Sequence, residues 1–501
     1  MSADPVDLLV VGGGINGVGI ARDAAGRGLS VVLCEKDDLA QGTSSRSGKL
    51  VHGGLRYLEY YKFRLVREAL IEREVLLRAA PHIIWPLRFV LPHSRQQRPV
   101  WMISLGLMLY DHLGGRRLLP KSRRLDLSDE LAGKALKSEF RRGFEYSDCW
   151  VDDARLVVLN ALDAAARHAR ILTRTALITA RREGGVWQAE LRDETGAITR
   201  VSACAIVNAA GPWVEDVLRH NAGLNAAHRV RLVKGSHIVV PKFWDGPQAY
   251  LFQNDDRRVI FVNPYQGDLC LIGTTDIPYG GDADGVTASE DEISYLLEAV
   301  NRYCVRQLAR ADVIHSFSGV RPLFDDNAED PTAVTRDYVF ELNDVDGTLP
   351  ILSVFGGKIT TFRKLSEHAL EKLRPYFRNM SGPWTARAVL PGGDIAAADV
   401  NAFAACLRRD YAVLPPDVID HYARLYGTRA RFLLDGVRTT DDLGRHFGGA
   451  LYQRESEFLQ REEWALTADD ILERRTKHGL RLTPEQRQTF KDWVSTMART
   501  I

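Results

Sequence analysis

Three glycine-rich turns hold the residues of this chain best able to do chemistry. The first is Gly12-Gly13-Gly14-Ile15-Asn16-Gly17, a G-x-G-x-x-G. Its glycines allow a tight turn, close approach of the backbone to a pyrophosphate, and tight helix–strand packing. Glu35 lies about where an acid accepts hydrogen bonds from a ribose. The second turn is Val51-His52-Gly53-Gly54-Leu55-Arg56-Tyr57. A lone histidine is more often a structural residue than a catalyst, but a glycine pair lets the backbone approach a flat ligand, and an arginine adjoins. The third is Gly356-Gly357-Lys358-Ile359-Thr360-Thr361. At a helix start its N–H groups would stabilise negative charge. A lysine there is slightly unfavourable with the helix dipole, so Lys358 calls for a reason of another kind.

Each turn needs elements to aim it. Val6–Val11 reads as a buried strand, Ile15–Arg27 as a helix and Leu29–Cys34 as a second strand, the order a dinucleotide fold requires. The plainer alternative is a glycine-rich turn in an unrelated α/β unit. Residues 41–48 are small and polar and read as a loop. A strand at Ala203–Asn208 runs into Ala209-Ala210-Gly211-Pro212-Trp213, and one at Ile351–Phe355 runs into the third turn, whose helix extends to about Arg374. Strand-like runs cluster over 231–275, with His237 on the first, and Val313–Val320 leads into Ser318-Gly319-Val320-Arg321. Residues 62–80 have helical spacing, with Phe63, Val66, Leu70 and Leu77 inward.

The totals bound the answer. A chain of 501 residues exceeds what one core usually serves, so two or three domains are expected. A net charge of +1 gives no global field towards nucleic acid, and no nucleic-acid module is recognisable. The six cysteines are scattered without a C-x-x-C, which favours reduced thiols over disulfides and leaves no metal expected. No signal peptide precedes the first strand, and no apolar run is long enough to span a bilayer. Residues 100–113 form a short apolar stretch followed by Arg116, Arg117, Lys121, Arg123 and Arg124. That pairing reads equally as a helix lying on an anionic lipid surface or as a buried helix with a solvated loop.

The segments GGGINGVGIARDAAGRGLSVVLCEKDDLAQGTSS, KLVHGGLRYLE, SGVRPL and FGGKITTFRKLSEHA, in this order, resemble the FAD-dependent glycerol-3-phosphate dehydrogenases, the respiratory, quinone-linked enzymes. The resemblance runs from about residue 6 into the C-terminal region. It implies FAD held by Gly12, Gly13, Gly14, Ile15, Asn16, Gly17 and Glu35. Thr43, Ser44, Ser45, Lys49, His52, Gly53, Gly54, Ala210, Gly211, Trp213, Gly356, Gly357, Lys358, Thr360 and Thr361 would approach its pyrophosphate and ring. Ala210 stands where the family often has threonine, so a hydroxyl contact is lost there. Only one G-x-G-x-x-G is present, which suits one FAD and an acceptor other than nicotinamide. The implied substrate is glycerol 3-phosphate, bound by Arg56, Tyr57, Arg321 and Lys358, since arginine's planar fork suits phosphate. Hydride would leave C2 for the flavin, and a histidine would take the hydroxyl proton, His52 first and His237 second, with Lys358 at hand. Electrons would pass to membrane quinone from a peripheral position on the cytoplasmic face of the cell membrane, against anionic lipid. A homodimer is left open.

The expected fold is α/β: a Rossmann-type FAD-binding domain (1–80, 145–230 and 314–382), an inserted antiparallel-sheet substrate domain (81–144 and 231–313), and a C-terminal helical domain (383–501). Two rival functions stand beside the dehydrogenase: a glycerophosphate oxidase using oxygen, and a non-catalytic flavin-binding membrane sensor.

Overall fold

A computed structural model of the chain describes residues 4–94, 97–115, 118–254, 256, 258–325 and 337–497. Arg116 and Arg117 of the expected basic cluster lie outside the described residues. Two sheets carry the site. The first has eight strands, and its spine is parallel: Thr348–Phe355, Ile198–Asn208, Val6–Val11, Val31–Cys34 and Arg170–Leu172, in that spatial order. Val10 stands between Val207 and Leu33, so the first strand is central. Its near-continuous apolar run follows from burial on both faces. Helix Ile15–Gly26 covers one face with Asp153–Ala166 and Phe362–Leu373, around a core that includes Leu8, Val18, Leu156 and Leu365.

The second sheet has ten strands. It is antiparallel except where Ala249–Gln253 runs parallel to Ile84–His93. Its longest ladder joins Val230–Pro241 to His315–Phe324, from Val230 opposite Phe324 to Val239 opposite His315. This sheet takes more of the chain than the sequence reading gave it. Strands Arg142–Val151 and His315–Phe324, and the short Leu50–Val51, all pair here, although 145–151 and 314–324 were expected in the nucleotide domain. The 318–323 motif therefore lies within a strand of the second sheet, and the glycine pair directly follows the short strand Leu50–Val51 of that same sheet.

Helix Glu290–Tyr303 braces the second sheet. Ser289 and Glu292 form a reciprocal cap, and the buried Glu292 carboxylate also accepts from Ser236 Oγ at 2.6 Å and Thr275 Oγ1 at 2.9 Å. Lys234 Nζ lies 2.6 Å from its second oxygen. These donors hold Glu292 down at about 2 despite burial.

The C-terminal region has its own core, with Leu407, Ile419, Leu459, Ile471 and Phe490 among its buried residues. It docks on the nucleotide domain through buried ions. Arg475 reaches Asp38 at 2.7 and 2.8 Å, Lys477 reaches Asp152 at 2.6 Å, and Arg155 forks onto Glu463. In helix Phe63–Ala79, Val66, Leu70 and Leu77 are buried as expected, but Phe63 is 41% exposed at the first position of the helix.

Candidate active site

The two sheets enclose a cavity of about 540 Å³ lined by residues of all three glycine turns. At the first turn, Gly12 has φ +110°, and a Cβ there would stand 2.6 Å from the Ala209 carbonyl oxygen. A Cβ on Gly17 would meet the Gly12 oxygen at 1.9 Å. The turn can therefore close only with glycine at both places. Gly14 caps the helix without a side chain, and the Ile15 N–H donates to Ser44 Oγ at 3.0 Å. Glu35 clasps the turn: Oε2 accepts from the Gly13 N–H at 2.6 Å and Oε1 from the Asp37 N–H at 2.9 Å. Burial pushes its carboxyl up, and these two N–H groups oppose that.

Gly12, Gly14, Ile15, Asn16, Glu35, Thr43, Ser44, His52, Tyr57, Ala210, Gly211, Trp213, His237, Arg321, Gly356, Gly357, Lys358 and Thr360 all line the cavity. The other expected contacts do not. Gly13 and Gly17 shape the turn from behind. Lys49 is buried, its Nζ bonded to Asp153 Oδ1 at 2.7 Å and the Ser45 carbonyl at 3.1 Å, so Lys49 and Ser45 brace the 41–49 loop instead of facing the cavity. Gly53 and Gly54 do not line it. The Gly53 N–H donates to Tyr110 Oη at 2.8 Å, and Gly54 (φ +72°) starts a 3₁₀ turn over Leu55–Tyr60. On such a turn neighbouring side chains diverge by about 120°. Tyr57 takes the cavity side, while Arg56 lies off it with Nη2 3.5 Å from Tyr60 Oη. Thr361 is buried outside the cavity as the N-cap residue of helix Phe362–Leu373. That helix starts four residues after Lys358. The third turn is thus a loop opened by Gly356 (φ +79°) and Gly357 (φ +105°), not a helix N-terminus at the lysine.

Cations and histidines meet at the second sheet. Arg321 Nη1 donates to Asp276 Oδ1 at 3.0 Å and Nη2 to Thr274 Oγ1 at 3.3 Å. Lys358 Nζ lies 4.2 Å from the Tyr57 ring centroid, a cation–π distance. His237 is buried and stacked on Phe317, 5.0 Å between centroids at 16°. Burial, then Arg321 and Lys49, push its imidazole down to about 3, so it is neutral near pH 7. The His52 N–H donates to Thr360 Oγ1 at 3.3 Å, and its ring meets the edge of Phe261.

Sequence reasoning missed Arg46, Phe261, Asn263 and Thr274, which also line the cavity. Arg46 Nη1 donates to the Ser318 carbonyl at 3.1 Å and ties the cofactor loop to the 318–323 strand. Phe261 and Asn263 share one face of strand Val259–Tyr265 by its two-residue period, a signal that does not by itself say which face.

The donor and acceptor set fits FAD. Asn16 Oδ1, His237 Nδ1 and Asn263 Oδ1 are buried on this cavity with no hydrogen-bond partner among the described residues. Leaving such groups unpaired costs about 1–3 kcal/mol each, which a polar ligand relieves. Gly12, Gly14, Ser44 and Glu35 would hold the nucleotide half, and Gly356–Thr360 with His52 the ring half.

The chain matches the family described as FAD dependent oxidoreductase over residues 7–363, and the C-terminal domain of alpha-glycerophosphate oxidase over residues 383–501. It is 61% identical to the D-erythritol 1-phosphate dehydrogenase of Brucella abortus, over 97% of each chain. It is 55% identical to the glycerol-3-phosphate dehydrogenase of Pseudomonas aeruginosa, over 97% of this chain and 94% of that one, and 51% identical to the aerobic glycerol-3-phosphate dehydrogenase of Escherichia coli, over 97% of each. The X-ray structure of the glycerol-3-phosphate dehydrogenase from Bacillus halodurans complexed with FAD aligns with a TM-score of 0.76 at 27% identity, covering 100% of this chain and 95% of that one. The chain belongs to the FAD-dependent oxidoreductases, and within them to the glycerol-3-phosphate dehydrogenase family.

Proposed function

We propose that the protein oxidises the secondary alcohol at C2 of sn-glycerol 3-phosphate to dihydroxyacetone phosphate and passes the electrons to a membrane quinone. The observation that carries this reading is the convergence of Arg321, Lys358 and His237 on the cavity of the three glycine turns. FAD, when bound, supplies the redox chemistry by accepting the hydride equivalent. The chain's own residues bind and orient the alcohol and take its proton. Arg321 and Lys358 hold the dianionic phosphate, Arg321 through a fork that Asp276 already orients. His237 takes the hydroxyl proton in preference to His52, because its ring lines the cavity beside Arg321 and is fixed by its stack on Phe317. A bound dianion also offsets the charge of Arg321 that depresses the imidazole, and moves it towards the range a general base needs.

The 61% identity to a D-erythritol 1-phosphate dehydrogenase supports a second reading in which the substrate is that tetritol phosphate. The two differ by one CH(OH) group, and a site built to pair a hydroxyl discriminates against substrates that lack it. Anaerobic titration of the holoenzyme with each compound separates them. Glycerol 3-phosphate is expected to bleach the flavin fully and with the higher kcat/KM. Bleaching by D-erythritol 1-phosphate alone overturns the first reading, and bleaching by neither favours the sensor. Readmitting oxygen or a soluble quinone then identifies the acceptor: rapid peroxide formation supports the oxidase.

The same proposal places the protein peripherally on the cytoplasmic face of the membrane. Among the described residues no helix is long and apolar enough to cross one. Helix Val100–Leu113 shows Trp101 (62% exposed), Leu105 and Met108 to solvent, and Tyr60, Tyr61 and Phe63 are exposed on the 55–63 segment. Of the basic residues behind it, Arg123 is ion-paired with Glu145 and Glu130 and Arg124 donates to Ser104.

A further inference from the structure

In the C-terminal domain, far along the chain from the cavity residues, three side chains from three elements converge. They are His421 on helix Pro416–Tyr426, Glu455 on helix Gln453–Glu463, and His478 at the turn His478–Leu480. One ligating atom from each lies within 4.8 Å of the others. His421 Nε2 is 2.7 Å from Glu455 Oε1, and His478 Nε2 is 3.4 Å from Oε2. Ligands on a tetrahedral zinc stand about 3.3 Å apart, given bonds of about 2.0–2.1 Å, so atoms that lie within 4.8 Å of one another need shifts of at most about 1.5 Å to take up a zinc. The intervals of 34 and 23 residues between positions 421, 455 and 478 match no short metal motif.

The surroundings suit a cation. Glu455 is fully buried, with Tyr426 Oη donating to Oε1 at 2.7 Å, which fixes the carboxylate. Tyr422, whose ring lies 5.5 Å from that of His421, buries a hydroxyl without a partner among the described residues, the kind of group that an ordered water satisfies. His421 is the most accessible of the three, so a water would reach the site from its side. Two imidazoles and one carboxylate are a donor set that zinc takes with three protein ligands.

We propose that His421, Glu455 and His478, with a water as fourth ligand, bind Zn²⁺ and that the ion braces the C-terminal domain. His478 directly follows Lys477, which bonds Asp152, the N-cap of helix Asp153–Ala166. Asp153 in turn holds Lys49 and Ser47 of the cofactor loop. The ion would therefore fasten the C-terminal domain at the point where it grips that loop.

The test uses tag-free holoenzyme stripped with chelator, loaded with zinc chloride and passed through gel filtration, with metal read by mass spectrometry and melting followed in parallel. One zinc per chain is expected in the wild type, with a rise in Tm. Retention is expected to fall at least about tenfold in Glu455→Gln and His421→Gln, with turnover unchanged in His421→Gln. Should Glu455→Gln fail to fold, His421→Gln at the accessible edge decides, together with cobalt d–d bands in the wild type. Equal zinc in wild type and His421→Gln, or no zinc and no cobalt bands in the wild type, overturns the proposal.

Discussion

Arg321 is opposed at 3.0 Å by the carboxylate of Asp276, so the cation at the cavity is oriented before any anion arrives. The pair is partly exposed, and its own attraction is worth about 0–1 kcal/mol. On the proposed reading, a phosphate with two negative charges would compete for the guanidinium and find its fork already aimed. Arg321→Ala is expected to lower kcat/KM for the phosphorylated alcohol by about 10–100-fold, the equivalent of about 1.5–3 kcal/mol for a charge-assisted contact. Arg321→Lys keeps the charge, loses the fork and falls between. Asp276→Asn is expected to change kcat/KM by less than about fivefold, in keeping with a weak exposed pair. Steady-state kinetics on the three variants decide, and an Arg321→Ala enzyme with wild-type kcat/KM removes Arg321 from the substrate site.

The two histidines can be ranked in the same way. His237→Asn is expected to lower kcat by about 10²–10⁴-fold, the range of general base catalysis, with FAD content and dithionite reduction unchanged. His52→Asn is expected to cost less than about tenfold, since its backbone N–H contact to Thr360 survives the change. The opposite order makes His52 the base.

Residue type and spacing carried much of this site. Gly12, Gly14, Glu35, His237, Arg321 and Lys358 all reach one cavity, because a strand–turn–helix unit and a strand ladder leave little freedom in where their ends point. What failed was direction within short irregular segments. Arg56 and Tyr57 are neighbours in sequence, yet a left-handed Gly54 and a 3₁₀ turn send them to different sides. Lys49 carried no sign that Asp153, 104 residues away, would bury it. Phe261 and Asn263 were unmarked because period-two alternation is symmetric about the sheet until the rest of the sheet is known. The bounds drawn at 145 and 314 cut into strand Arg142–Val151 and lie beside strand His315–Phe324, whose pairing partners are non-local.

His82 gives the fold a defined acid sensitivity. It is fully buried with neither ring nitrogen partnered among the described residues, packed where Gly392 and Gly427 of the C-terminal region come close. Burial, then Arg155, Arg429 and Arg424, push it down to about 3, with Glu463 opposing. The unfolded chain's histidine protonates near 6.5, so as pH falls below that value the unfolded state binds the extra proton and stability declines until the folded state titrates near 3. The contribution is at most about 1.4 kcal/mol per pH unit across that window. Denaturant midpoints from pH 7 to 4 are expected to fall less steeply in His82→Gln than in the wild type. Parallel slopes mean that His82 does not titrate differently on folding.

The proposed attachment to lipid would rest on the exposed apolar face. Trp101, Leu105 and Met108 recur at intervals of three and four residues, so they project from one side of helix Val100–Leu113, while Leu107 and Tyr110 pack inward on the opposite side. Each is about half exposed, so burying the remainder in an acyl layer is worth about 1–1.5 kcal/mol, a reversible hold that needs a second contribution to become stable. The triple variant Trp101→Ser, Leu105→Ser, Met108→Ser removes that term and leaves Leu107 and Tyr110 in the core. It is expected to stay in the supernatant when anionic vesicles are sedimented, while keeping its rate with a soluble quinone analogue. Raising salt tests the remaining electrostatic share, because headgroup pairing is screened and apolar burial is not. With Arg123 already paired to two carboxylates, salt alone should release only part of the wild type. Complete release by salt, or full vesicle binding by the triple variant, assigns attachment to another surface.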